Sequence, residues 1–188
     1  MAALQPPPID FGTPAPDFTL PDPKGVLFSR DSIARSAGGK GLLVMFICNH
    51  CPFVKAILTR LCDDVRTLQA LGIGVVGINA NDADSYPDDS PAKMAELSAA
   101  HDLPFPYLVD ADQSVAKAYG AVCTPDFFGF DAALGLQYRG RLDAYRLEPA
   151  PGDRKCDLLD AMTAVAAGQG GPAEQWPSMG CSIKWKTA

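Results

Sequence analysis

The run Leu42-Leu43-Val44-Met45-Phe46-Ile47-Cys48-Asn49-His50-Cys51-Pro52 decides how this chain is read. Its first six residues are apolar without a break, the pattern of a strand covered on both faces of a sheet. Beyond Pro52, the residues Val54, Ile57, Leu58, Leu61, Val65 and Leu68 recur at helical spacing, with Lys55, Arg60, Asp64 and Arg66 elsewhere on the wheel. That pattern predicts an amphipathic helix ending near Leu71-Gly72. Ile73 to Ile78 is a second buried strand, so the three elements form a βαβ unit with parallel strands and a right-handed crossover. Two cysteines are thereby delivered to the point where a strand ends and a helix begins.

A thiolate, not a thiol, attacks disulfides, and a free cysteine with a pKa of about 8.5 is mostly protonated at neutral pH. The unpaired N–H groups and the dipole of a helix N-terminus stabilise an anion. Cys48, just before the helix, is therefore the expected nucleophile, and Cys51 the thiol that resolves the mixed disulfide. His50 between them offers positive charge or a hydrogen bond; a solvated loop histidine is its plainer reading. Half of a zinc site and a pair of inert core thiols are the other readings of the two cysteines. No second Cys-x-x-Cys follows, and His50 and His101 lack ligand spacing. The expectation is a redox-active disulfide with no further cofactor and no metal.

The rest of the chain reads as support. Residues 1–16 are proline-rich and read as an arm without regular structure. Phe18 to Leu20 and Val26 to Phe28, around the turn Pro21 to Gly25, predict a short hairpin. Asp82 to Asp89 reads as a solvated acidic loop. Ser90-Pro91 then opens a helix to about His101. A strand at Tyr107 to Val109 and a brief helix from Gln113 to Tyr119 follow. Strands at Asp126 to Phe130 and Leu136 to Leu142 form an antiparallel hairpin, with Arg139 and Arg141 expected on a solvated face. A last helix spans Asp153 to Ala167, and Gly170 to Ala188 is a tail with no clear element. The whole, 1–188, reads as one α/β domain: a central mixed sheet with helices on both faces.

Composition narrows the class. The chain has 188 residues and a net charge of −6, with no basic stripe, which argues against a nucleic-acid partner. No apolar run reaches the roughly 18 residues of a membrane span, so no membrane partner is expected. The N-terminus has neither the basic flank nor the apolar core of a secretory signal. Six cysteines at irregular spacing are too few for a disulfide scaffold and fit thiols in a reducing compartment, so the expected location is cytoplasmic.

Thr124-Pro125 is the second informative feature. A proline at the very start of a strand cannot donate to the ladder. In this element order its loop lies beside the cysteine pair, where a cis Thr124–Pro125 bond would leave a backbone edge free for an extended substrate. Together with the element order, Cys123-Thr124-Pro125-Asp126-Phe127-Phe128, Tyr138 to Asp143 and the ending Pro177 to Lys186 resemble the thioredoxin-like superfamily. More closely, they resemble its redoxin branch, the alkyl hydroperoxide reductase/thiol-specific antioxidant group. The resemblance runs from about Pro14 to Lys186. With the cysteine pair, it implies an enzyme of thiol–disulfide exchange at Cys48 and Cys51, with thiol-dependent peroxide reduction as the alternative; the pair by itself also leaves open a non-catalytic redox or metal-binding module. It also implies a disulfide-bearing protein or small molecule as substrate and an external thiol reductant.

The sequence departs from both branches of that family. The strand before the pair has no acid where thioredoxins carry a buried carboxylate. Cys48 stands where peroxiredoxins place a threonine or serine. Proton transfer must then use water or a carboxylate from another segment. Among the other thiols, Cys62 and Cys156 fall at core positions. Cys123, two residues before Pro125, and Cys181, on the tail, are possible additional exchange thiols.

Overall fold

The computed structural model describes residues 3–4 and 10–187. Its elements in chain order are β1 (Ala3–Leu4), β2 (Thr19–Pro21), β3 (Leu27–Ser29), α1 (Arg30–Ser36), β4 (Gly41–Phe46), α2 (Pro52–Ala70) and β5 (Ile73–Asn79). There follow α3 (Pro91–His101), β6 (Tyr107–Val109), α4 (Ser114–Tyr119), β7 (Cys123–Thr124), β8 (Asp126–Asp131), β9 (Leu136–Gly140), α5 (Asp157–Ala166) and β10 (Gly180–Ser182).

The central sheet has the order β6-β5-β4-β8-β9. β4, β5 and β6 run parallel, and β8 and β9 complete the sheet antiparallel. The parallel half thus comes first in the chain and the hairpin last, as the hydrophobic patterning requires. Alternation along β4 splits the core in two. Leu43, Met45 and Ile47 pack with α2 and α5, whereas Leu42, Val44 and Phe46 pack with α1, α4 and the β2–β3 hairpin. Every residue of β4 and β5 is buried, which is why neither strand shows polar alternation.

Three regions differ from expectation. Helix α5 begins at Asp157 instead of Asp153, because the Arg154 side chain turns toward α2. Its guanidinium reaches Asp64 at 2.6 Å and Asp143 at 3.1 Å, holding the preceding residues in a loop. The arm is not without structure: Ala15 N–H donates to the Leu134 carbonyl, Leu136 N–H donates to that of Thr13, and Pro14 bridges to Gly135. The remainder of the arm expected over 1–16 lies, at residues 1–2 and 5–9, outside the described residues. The tail expected to lack regular structure contains β10, which pairs with β7 and β1 in a separate small sheet. Among the described residues, no helix is long and apolar enough to cross a membrane.

One glycine shows how tightly α1 sits on the sheet. A Cβ at Gly74 in β5 would lie 2.0 Å from the Ile33 carbonyl oxygen of α1. Backbone against backbone cannot relax by a rotamer change. Gly74→Ala is expected to cost about 1–3 kcal/mol, read as a lower urea midpoint at unchanged slope. A midpoint equal to that of the wild type would mean that α1 shifts without cost.

Candidate active site

Continuing the β4–β8 register two residues past the Phe46–Asp126 pair sets Cys48 opposite Thr124. The Cys48 Sγ lies 3.1 Å from Thr124 Oγ1, and the Cys51 Sγ lies 3.2 Å from the Thr124 carbonyl oxygen, to which it donates only when protonated. One residue thus touches both sulfurs. The Thr124–Pro125 peptide bond is cis, as expected from the sequence. A cleft of about 30 Å³, lined by Phe53, Ile57, Phe127 and Met179 among others, adjoins Pro125.

The helix begins later than the first cysteine. Cys51 is the N-cap of α2 and Pro52 its first residue, with proline fitting where no intrahelical N–H is needed. The N-terminal field therefore falls on Cys51. Its pKa is lowered to about 5, first by the hydrogen bond from the Cys48 thiol and further by Cys181 and by the Val54 N–H, against the cost of burial. Cys48 is pushed strongly upward, first by donating to Cys51, then by burial, then by the Asp89 carboxylate. The electrostatics thus oppose the expectation that Cys48 carries the thiolate. The physical reason is that Cys48 lies three residues ahead of the cap and beside a negative charge. Both cysteines are buried, at 1% and 0% exposure, so accessibility does not single out either one.

The acidic loop is the main surprise. Asp82 and Asp89 in it are buried, not solvated. Asp89 accepts the Asn49 N–H at 2.7 Å, His50 Nδ1 at 2.5 Å, Asn81 Nδ2 at 2.8 Å and Asn79 Nδ2 at 3.4 Å. With four N–H partners, its carboxylate clamps the Cys48–Cys51 loop and fixes the His50 ring, which also stacks on Tyr86 with centroids 5.6 Å apart. His50 is therefore a positioned residue, not a free loop histidine. Asp89 places a buried carboxylate beside the Cys48–Cys51 loop, from a segment about forty residues away. Its only sequence signal was an acid just before Ser90-Pro91, the start of a helix.

Cys48, His50 and Asp89 bring one sulfur, one nitrogen and one oxygen within 4.8 Å of one another. These are the side chains with which a cation would be held. Both Asp89 oxygens already accept N–H groups, however, and binding would have to displace the His50 contact.

The tail meets the same site. β10 pairs antiparallel with β7, Cys181 opposite Thr124 and Ser182 opposite Cys123. The backbone edge expected to receive a substrate is thus occupied by the chain itself. Cys181 is buried in the same cluster as Cys48 and Cys51, so it does not ride on a free tail. The Cys123 thiol turns toward the Pro125 carbonyl at 3.8 Å, and burial pushes its pKa strongly upward, followed by the charge of Asp126. Arg139 is buried against Asp126 at 3.3 Å instead of lying on a solvated face. Asp126 is itself raised to about 6 by burial. Cys62 is buried as expected, while Cys156 is half-buried at the N-cap of α5.

Comparison with known proteins gives the family and the fold. The AhpC/TSA family profile matches residues 11–140. A Mycobacterium tuberculosis protein named "Putative peroxiredoxin" is 30% identical over 118 residues, covering 63% of this chain and 68% of that protein. A hypothetical protein of Sinorhizobium meliloti is 41% identical, with a TM-score of 0.88 over 98% of this chain and 99% of its own. A secreted Mycobacterium tuberculosis disulfide oxidoreductase shares the fold at 20% identity, with a TM-score of 0.55 over 80% of this chain and 95% of its own.

The placement of the thiolate is measurable. In the reduced protein, ultraviolet thiolate absorbance should persist as the pH falls and disappear near pH 5, because the lowered pKa keeps the sulfur ionised above that value. Cys51→Ser should remove this acidic transition. Cys48→Ala should keep it with a higher midpoint, since the strongest donor is gone. An acidic transition that survives in Cys51→Ser would put the charge elsewhere.

Proposed function

This chain belongs to the AhpC/TSA family and is an oxidoreductase, and from that premise we propose that it works by thiol–disulfide exchange at Cys48 and Cys51. The observation that carries this reading is the convergence of both sulfurs on Thr124, with the ionised sulfur at the helix cap. Cys51 as thiolate attacks one sulfur of a substrate disulfide. A Cys51–substrate bond forms, the substrate S–S bond breaks, and the second substrate sulfur leaves with the electron pair. That leaving thiolate takes up the Cys48 proton. Cys48 then attacks Cys51, the Cys48–Cys51 disulfide forms, and the first substrate sulfur leaves as a thiolate. Two electrons pass from the pair to the substrate, and an external thiol reductant returns them.

In this reading Asp89 and α2 act together on a single proton. The carboxylate beside Cys48 disfavours a second anion there, and the helix N-terminus favours one at Cys51. His50, held by Asp89, is a positioning residue of the loop. Thr124 and Pro125 form the wall against which the two sulfurs are held. The substrate is a disulfide-bearing protein or small molecule, and no cofactor beyond the cysteine pair is invoked. The cytoplasmic setting rests on the sequence alone: six cysteines at irregular spacing fit thiols in a reducing compartment.

A second reading, thiol-dependent peroxide reduction, is supported by the low pKa of Cys51 and by the peroxiredoxin name of the 30% identical relative. There the Cys51 thiolate attacks the peroxide O–O bond, becomes a sulfenic acid and releases an alcohol or water. Condensation with Cys48 then gives the same disulfide and a second water.

Insulin disulfide reduction and peroxide consumption by the purified protein separate the two. Insulin reduction is expected from the wild type, with none from Cys51→Ser and a trapped mixed disulfide when Cys48 and Cys181 are both replaced by serine. Peroxide turnover without insulin reduction would replace the first reading with the second. Neither activity, together with a stoichiometric metal in the purified protein, would reject both.

A further inference from the structure

Strand β10 occupies the position beside the sulfurs that an extended substrate would take. Cys181 lies directly across from Thr124, the residue that touches both Cys48 and Cys51. The fit is backbone to backbone. A Cβ on Gly180 would lie 1.9 Å from the Thr124 carbonyl oxygen, so only glycine permits this approach. The strand is also pinned along its length. Ile183 N–H donates to the Val122 carbonyl at 3.1 Å, and Lys184 N–H to Asn81 Oδ1 at 2.8 Å. Gln113 Nε2 donates to the Lys184 carbonyl at 2.9 Å. These contacts hold Cys181 in the buried cluster with Cys48 and Cys51, whereas the Cys123 thiol, nearer in sequence to Pro125, points to a carbonyl instead.

We infer that Cys181 is a built-in exchange partner of Cys51, so that the site is a relay of three thiols and the C-terminal strand is its internal substrate. The inference rests on the disulfide-exchange reading of Cys48 and Cys51. In the step it adds, the Cys181 thiol loses its proton and attacks the Cys51 sulfur of the Cys48–Cys51 disulfide. The Cys51–Cys181 bond forms, the bond to Cys48 breaks, and the electron pair and one proton return to Cys48 as a thiol. No net oxidation occurs; the disulfide moves from the loop to the small sheet. The resting charges fit this order. Cys181 is pushed up to about 11, first by burial and next by its hydrogen bond to Cys51, so it stays a protonated donor until the Cys51 thiolate has been consumed.

The test is disulfide mapping by mass spectrometry of the full-length protein, oxidised with diamide and alkylated without reduction. In Cys48→Ser, the expected product is one intramolecular disulfide, Cys51–Cys181. Cys181→Ser should hold only Cys48–Cys51, and Cys123→Ser should match the wild type. In the wild type, both linkages are expected, with the Cys51–Cys181 form making up about a tenth or more of the oxidised molecules, as for two disulfides in exchange within about one factor of ten. Absence of Cys51–Cys181 from the oxidised wild type overturns the proposal however the variants fold, and a Cys51–Cys123 linkage in Cys48→Ser would reassign the role. Insulin reduction by the wild type keeps the two questions apart. Activity without a Cys51–Cys181 bond rejects the relay alone. The bond without activity rejects exchange with external substrates while leaving the internal partner in place.

Discussion

The antiparallel pairing of β4 with β8 is the constraint on which the site depends. Its register, Gly41 opposite Asp131 through Phe46 opposite Asp126, leaves no freedom in what faces the end of β4. A slip of one residue would turn every β8 side chain to the other face, exposing or clashing residues such as Phe127 and Phe128 that are now buried. The core packing that prevents the slip therefore also fixes Thr124 against the cysteines. The geometry of the cysteine pair and the stability of the core share the same hydrogen-bond ladder, and the pair needs no separate scaffold.

On that frame, the chemistry reduces to where one proton rests between two sulfurs. A helix N-terminus attracts negative charge and a buried carboxylate repels it. The chain places the first at Cys51 and the second beside Cys48, so the two influences act in the same sense. A buried carboxylate is expensive unless fully hydrogen-bonded. Asp89 meets that condition with donors from the active loop, from β5 and from the segment after it. The same bonds that make the charge tolerable also fix the loop that carries the cysteines.

The elements that carry long periodic signals were legible in the sequence. β4, α2 and β5, the two antiparallel strands and the Thr-Pro junction all lie close to where their patterns put them, because burial on one or both faces leaves a regular mark. What escaped was non-local. Asp89 sits among other acids, and nothing in its neighbours distinguishes a buried carboxylate from a solvated one. β10 is only three residues long, too short for alternation to register. The helix boundary also moved: Cys51, expected inside the first turn, is the N-cap, and helix ends are the features that sequence patterns locate least well. Arg139 looked like a solvated strand residue because its partner Asp126 lies on the neighbouring strand, visible only once the register is known.

Asn81 ties two of these features together. Its side-chain nitrogen donates to Asp89, and its side-chain oxygen accepts from the backbone of Lys184. One amide thus belongs both to the electrostatic clamp beside Cys48 and to the mooring of the C-terminal strand. An amide oriented by both ends cannot lose one partner without loosening its hold on the other. Undocking of the strand and the charge balance of the thiols are therefore thermodynamically linked, and linkage is reciprocal. To whatever extent departure of the tail alters the acidity of the pair, ionisation or oxidation of the pair must alter, by the same free energy, how firmly the tail is held.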